Sequence, residues 1–211
     1  MGNLLPTLSI YSVLLPFLTG LVLWKFQDAN ARIMVMLLAF ASISQIIGSQ
    51  SKDHKFLIYN LYIIIDVFFW TVLIFRNSFS KFSKSLVPLL GTALIIFALS
   101  KFITEGINTK FYRNLVSFDL ILLVIYVLIY FIEKYNSGKN ISLKTDPMFW
   151  FCLGILFYAP GTYLLFSTRY FLNDEEFNSV WKFHHLFNIL LYLLITVGFL
   201  AKIKISTLPK R

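Results

Sequence analysis

Two carboxyls in this chain stand where a carboxyl is costly. Asp66 and Asp119 lie inside long apolar stretches, and a charged side chain at the centre of a bilayer costs about 2.5–3.5 kcal/mol even on the lenient insertion scale. Such a group persists when it is buried among partner helices, where it can hold a proton, pair with a cation or mark an ion path. Asp66 belongs to the series Tyr59, Tyr62, Asp66, Trp70, and Asp119 to the series Tyr112, Asp119, Tyr126, Tyr130. Both spacings trace one face of a helix. A third stripe runs through WKFHHLFNILLYLLIT, where Trp181, His184 or His185, Asn188, Tyr192 and Thr196 recur with helical period. Adjacent residues on a helix point about 100° apart, so only one of the two histidines follows that stripe. Ser42, Gln45 and Ser49, then Asn60, then Tyr158, Thr162 and Tyr163 add uncharged polar groups. The candidate ligand-binding set is Asp66, Asp119, His184, His185, Asn188, Tyr62, Asn60, Gln45, Tyr158 and Thr162; no residue is assigned a catalytic role. The neutral members serve equally well as interhelical glue, at about 0.6–2 kcal/mol each.

The elements that must position these groups follow from length and composition. The chain has 211 residues, 58% hydrophobic, 18% aromatic and 14% charged, more apolar surface than one water-soluble core of this size can hide. A helix crosses a hydrocarbon core about 30 Å thick with roughly 20 residues. Seven apolar stretches approach that length, near 4–24, 33–50, 56–75, 86–104, 112–132, 147–168 and 181–201. They are too long and too continuously apolar for barrel strands. The predicted fold is all-α, a polytopic membrane bundle of seven transmembrane helices forming a single domain over 1–211. The opening MGNLLPTLSIYSVLLPFLTGLVLW lacks a basic leader and a small-residue cleavage site, so it is expected to remain as the first helix. Pro160 with Gly161 is expected to kink the sixth helix, and Trp24, Phe149, Trp150 and Trp181 to lie at the interfaces.

Orientation follows from the basic residues. With the N-terminus outside, the inner side carries Lys25, Arg32, Arg76, Lys81, Lys84, Lys134, Lys139, Lys144, Lys202, Lys204, Lys210 and Arg211, against Lys52, Lys55, Lys101, Lys110, Arg113, Arg169 and Lys182 outside. Twelve against seven favours N-out, C-in. In a bacterium this is a multi-pass protein of the inner (cytoplasmic) membrane. Gln45, Ser49, Asn60, Asp119, Thr162, His184, His185 and Asn188 then fall in the outer half, with Asp66 at the midplane, which describes a polar pocket facing outward above a more apolar inner half.

Several chemistries fail on residue types. Retinal needs a mid-span lysine, and none is present. The net charge of +9 is scattered over loops, not gathered on one folded face, which argues against nucleic acid. No G-x-S-x-G motif occurs, and Cys152 has no histidine within its own span to act as a base. Zinc is disfavoured as a cofactor: the stretch His184-x-x-x-Asn188 partly resembles the last span of seven-helix hydrolases of the alkaline ceramidase type, but their second histidine there is an asparagine here and the second span has none.

The segments IYNLYIIIDVFFW, DPMFWFCLGILFYAPGTYLLF and WKFHHLFNILLYLLITVGF together resemble a group of small bacterial seven-helix proteins associated with membrane sensor modules and histidine-kinase partners. The resemblance implies a sensory role and transfers no site residue. The connections are too short to fold as an output domain. The expected function is therefore a membrane-embedded sensory or regulatory module, signalling through a separate cytoplasmic partner. The alternatives are a small-solute or proton-coupled transporter and an intramembrane metal-dependent hydrolase. The expected partners are the lipid bilayer and that signalling protein, with Gly154 and Gly161 permitting close packing inside the bundle or in a homo-oligomer.

Overall fold

A computed structural model describes residues 4–51, 53–137, 143–169 and 171–201. Lys52, Lys139, Lys202, Lys204, Lys210 and Arg211, which contribute to the charge asymmetry, lie outside these residues. Every regular element among the described residues is helical: α1 Leu4–Tyr11, α2 Leu14–Val22, α3 Ala29–Gln50, α4 Lys55–Asn77, α5 Lys81–Glu105, α6 Arg113–Asn136, α7 Pro147–Thr168 and α8 Asp174–Ala201, with single 3-10 turns at Trp24–Phe26 and Leu143–Thr145. α1 and α2 together make one apolar run, Leu4–Val22, so the described chain has seven helical segments of 19–28 residues that are long and apolar enough to cross a membrane. The sixth matches its expected bounds. The second, fourth and seventh begin several residues earlier than hydropathy suggests, because polar starts such as Asp28-Ala-Asn and Asp174-Glu-Glu are good helix N-termini that an apolar scan trims away.

The helices stop and start where local chemistry dictates. Asp28 accepts from the Ala31 N–H at 2.9 Å, Ser80 from the Ser83 N–H at 3.1 Å, and Asp146 from the Met148 N–H at 3.0 Å. These caps satisfy amides that a helix start leaves orphaned, and all three lie at one end of the bundle, called here the Asp146 face. At the opposite end α5 finishes on Gly106, whose φ of 81° suits a residue without a Cβ; this is the Gly106 face.

The break in the first run falls at Ser12–Val13, four residues before Pro16. A proline ring displaces the carbonyl of the residue four earlier, and the Ser12 carbonyl accordingly accepts from the Leu15 N–H at 3.2 Å in a tighter turn. Pro160, where a kink is expected, lies inside α7, which runs as one helix over Pro147–Thr168.

The helices form two layers. α2, α3 and α4 follow one another in one layer and α6, α7 and α8 in the other. α2 faces α8, α3 reaches α7, and α4 faces α6, while α5 packs against α4 and α6 at the side. The α7–α8 pair is the most extensive contact. Glycines let it close: a Cβ on Gly154 would meet the Leu191 side chain, one on Gly161 the Phe187 ring, and one on Gly198 the Phe151 ring. Both glycines anticipated as packing sites thus serve contacts inside the bundle. Tyr126, Phe151, Phe199, Met34 and Leu38 fill the centre, whereas Val22, Phe82, Ile103 and Phe171 are among many large apolar side chains left exposed. Exposure on that scale suits hydrocarbon as the surrounding medium and fits a multi-pass membrane protein.

Candidate functional site

Asp66 is the middle residue of α4, eleven positions from each end of Lys55–Asn77, and it is buried at 7% exposure. The Tyr62 hydroxyl, one turn earlier, donates to Asp66 Oδ1 at 3.1 Å. Asp119 approaches from the facing helix α6, also 7% exposed, and its Oδ1 is buried with no hydrogen-bond partner among the described residues. The two carboxyls are close enough to act on one another electrostatically, and Tyr158 of α7 senses both. Among the described residues neither carboxyl has a lysine or arginine against it. Two ionised carboxylates here would repel across a low-dielectric interior with nothing of opposite sign to offset them.

The cluster extends to α8 and α3. Side chains on a helix lean toward its N-terminus, which carries Tyr192 toward the Gly106 face, where Gln45 Nε2 donates to its hydroxyl at 2.6 Å. Tyr192 also lies in the electrostatic reach of Asp66 and Tyr158. The other end of the Gln45 amide, Oε1, is buried and unpartnered among the described residues; whichever way the amide is turned, one of its ends lacks a protein partner. Five helices, α3, α4, α6, α7 and α8, therefore each place a polar group in one region.

Toward the Gly106 face, Thr162 shares a hydrogen bond of 3.3 Å with His184 Nδ1, and the His184 ring stacks on Trp181 with centroids 4.5 Å apart. Trp181, expected at an interface, is thus turned onto the bundle. Phe166 meets Trp181 at 5.3 Å, Phe111 meets Phe166 at 6.4 Å, and Tyr59 meets Phe111 at 6.3 Å. These rings form a chain of contacts at the Gly106 end of the bundle, linking α4, the α5–α6 loop, α7 and α8. His185 is half-buried, its ring 5.8 Å from that of His184 and tilted 58° to it.

Two expected members are used elsewhere. Asn60 is fully buried and ties down the α5–α6 loop, donating to the Ile107 and Lys110 carbonyls at 2.7 and 2.9 Å and accepting from the Tyr112 N–H at 3.4 Å. Asn188 donates to the Ser9 carbonyl at 3.1 Å and the Ser9 hydroxyl at 3.0 Å, holding α1 to α8. The structure brings together Asp66, Asp119, Tyr62, Tyr158 and Gln45, with Thr162 and His184 adjoining, and adds Tyr192, which the candidate set omitted although its stripe was visible.

Toward the Asp146 face Tyr126, Tyr130 and Glu133 are engaged, while Gln27, whose Nε2 donates to the Phe199 carbonyl at 3.1 Å, has a buried Oε1 with no partner among the described residues. Tyr126 donates to the Val87 carbonyl at 2.9 Å and lies 2.9 Å from the Thr71 hydroxyl. Tyr130 donates to Asp146 Oδ2 at 2.9 Å, where Lys134 forms an ion pair. Glu133 accepts from the backbone N–H groups of Phe79 and Ser80 and from the Ser80 hydroxyl.

As for a metal centre, no three His, Cys, Asp or Glu side chains converge as a ligand set among the described residues. Asp66 accepts from Tyr62, and His184 shares a hydrogen bond with Thr162 and stacks on Trp181. Comparison with protein-family models, curated proteins and solved structures returns no match to this chain.

Proposed function

We propose that the chain is a membrane-embedded sensory or regulatory module of the bacterial inner membrane, placed N-out, C-in. Its Asp66–Asp119 site takes up protons or a compact cationic group, and a separate cytoplasmic partner reads the result. The observation that carries this reading is the pair of buried carboxyls with no lysine or arginine against them among the described residues, one of them with an oxygen that has no partner there. A site of that kind is relieved by a proton or by a ligand ammonium. Occupancy changes the repulsion between α4 and α6, the helices that carry the two carboxyls, and a ligand acts by favouring one of two helix arrangements. The hydrogen bonds already made by Tyr126, Tyr130 and Glu133 toward the Asp146 face support signalling over a through path.

The test is binding of methylammonium to the full chain in nanodiscs, read by infrared difference spectroscopy of the carboxyl groups. Saturable loss of protonated carboxyl signal is expected in the wild type and is expected to vanish in Asp66→Asn and in Asp119→Asn. A spectrum indifferent to methylammonium in the wild type, or unchanged by both substitutions, overturns the reading.

A second reading, proton-coupled transport, is favoured by the series Asp119, Tyr126, Tyr130, which descends one face of α6 to Asp146. Proteoliposomes enclosing a pH-sensitive dye decide it. Dissipation of an imposed proton gradient that disappears in Asp66→Asn supports transport; gradients held equally by wild type and variant support the sensor.

A further inference from the structure

A crevice of about 290 Å³ lies between the first helical run and α8, lined by Leu8, Tyr11, Ser12, Leu15, Ile189, Tyr192 and Leu193. It sits beside the Ser12–Val13 break between α1 and α2. Its walls are apolar and its rim is open: Leu8, Leu15 and Leu193 are each about half exposed on the outside of the bundle. The crevice therefore opens sideways, into what would be hydrocarbon, and not toward either loop face. Its lining covers Leu8 to Leu15, about 10 Å of helix at about 1.5 Å per residue.

One lining residue belongs to both sites. Tyr192 forms part of the crevice wall while its hydroxyl accepts from Gln45 at 2.6 Å, at the edge of the carboxyl cluster. Since Tyr192 accepts from Gln45, its own O–H remains available to a further acceptor. The crevice thus leads from outside the bundle to a member of the carboxyl cluster.

Resting on the proposed carboxylate site, we infer that its ligand is a single-chain cationic amphiphile, a long-chain primary ammonium, that reaches the site from within the bilayer. The hydrocarbon chain lies in the crevice between α1–α2 and α8, and the ammonium passes Tyr192 to the Asp66–Asp119 pair. Charge complementarity selects the headgroup: a buried carboxyl pair with no lysine or arginine against it among the described residues is matched by an ammonium and not by a carboxylate or phosphate. The apolar walls select the chain, and a crevice of about 290 Å³ between the first run and α8 suits one chain better than two.

The test is equilibrium binding of methyl-, butyl-, octyl- and dodecylammonium, with dodecanol as the uncharged control, to the full chain in phosphatidylcholine nanodiscs at pH 7, scored as the excess over protein-free nanodiscs. The wild type is expected to show one saturable site with affinity rising along the amine series. Leu15→Trp fills the crevice from one wall and Leu193→Phe from the other. Each should flatten the series and weaken dodecylammonium about tenfold, the equivalent of displacing roughly two methylenes from apolar contact. Both side chains are half exposed, so both variants should keep the wild-type unfolding temperature, and either one suffices if the other fails to fold. A series equally steep in both variants places the chain in the bilayer and overturns the crevice inference, while Asp66-dependent methylammonium binding would leave the carboxylate site standing. Dodecanol binding as tightly as dodecylammonium also overturns it. Amine binding indifferent to Asp66→Asn removes the carboxylate site itself.

Discussion

Asn60 and Asp119 are both polar, both buried and both inside span-length helices, yet they stand at opposite ends of the scale of satisfaction. Asn60 makes three hydrogen bonds to the backbone of one loop, whereas an oxygen of Asp119 makes none among the described residues. Removing a satisfied partner strands the groups it bonded, while removing an unsatisfied group relieves a cost. Asn60→Ala is therefore expected to destabilise the protein by about 2 kcal/mol, and Asp119→Asn to leave stability unchanged or raised, as read from denaturant unfolding in micelles. The reverse order would mean that Asp119 is structural and that no ligand is needed to explain it. The sequence makes the Tyr62–Asp66 pair visible, because i and i+4 on a helix are neighbours. It hides the roles of Asn60 and Asn188, whose acceptors lie 47, 50 and 179 residues away, so that only the tertiary fold decides whether they bind ligand or backbone. Tyr192 escaped selection for a different reason: its Cα lies past the cluster, and the lean of its side chain toward the start of α8 brings the hydroxyl back to Gln45.

At the scale of elements, the number of helices was readable because each needs only an uninterrupted apolar run, and such runs survive any arrangement in space. The effect of each proline was not. Pro16 breaks its run and Pro160 does not, since the outcome depends on whether neighbouring helices hold the chain straight, and α7 is clasped along its length by α8 whereas the first run has an open flank. The closeness of α7 and α8 makes a prediction. A Cβ on Gly198 would come within 2.6 Å of the Phe151 ring and 3.1 Å of the Pro147 carbonyl, and the carbonyl belongs to a helix start that cannot easily give way. Gly198→Ala should cost about 1–3 kcal/mol by overpacking, with a matching fall in thermal unfolding temperature. Wild-type stability in that variant would show that the α7–α8 contact is looser than described.

For the molecule as a whole, the arrangement places the Asp66–Asp119 cluster between two layers. α3 and α4 carry Gln45, Tyr62 and Asp66; α6, α7 and α8 carry Asp119, Tyr158 and Tyr192. A ligand there contacts both layers. The proposed N-out, C-in placement is checked with fusions in a bacterial host: a fluorescent protein that folds only in the cytoplasm should shine at the C-terminus, and alkaline phosphatase inserted in the Gly106 loop should be active. The opposite pattern would invert the molecule and turn the Gly106 face toward the cytoplasm.

The Glu133 clasp also bears on time. By accepting from the Phe79 and Ser80 amides and the Ser80 hydroxyl, this one carboxylate of α6 fastens the short α4–α5 turn, so that a connection of three residues between two long helices is held by a third. Turn amides ordinarily exchange their hydrogens with solvent through small local openings, but these two can do so only when Glu133 lets go. Phe79 and Ser80 should then exchange at the slow pace of the α6 core, and α4, α5 and α6 should open to solvent as one cooperative unit, the slowest clock in the molecule.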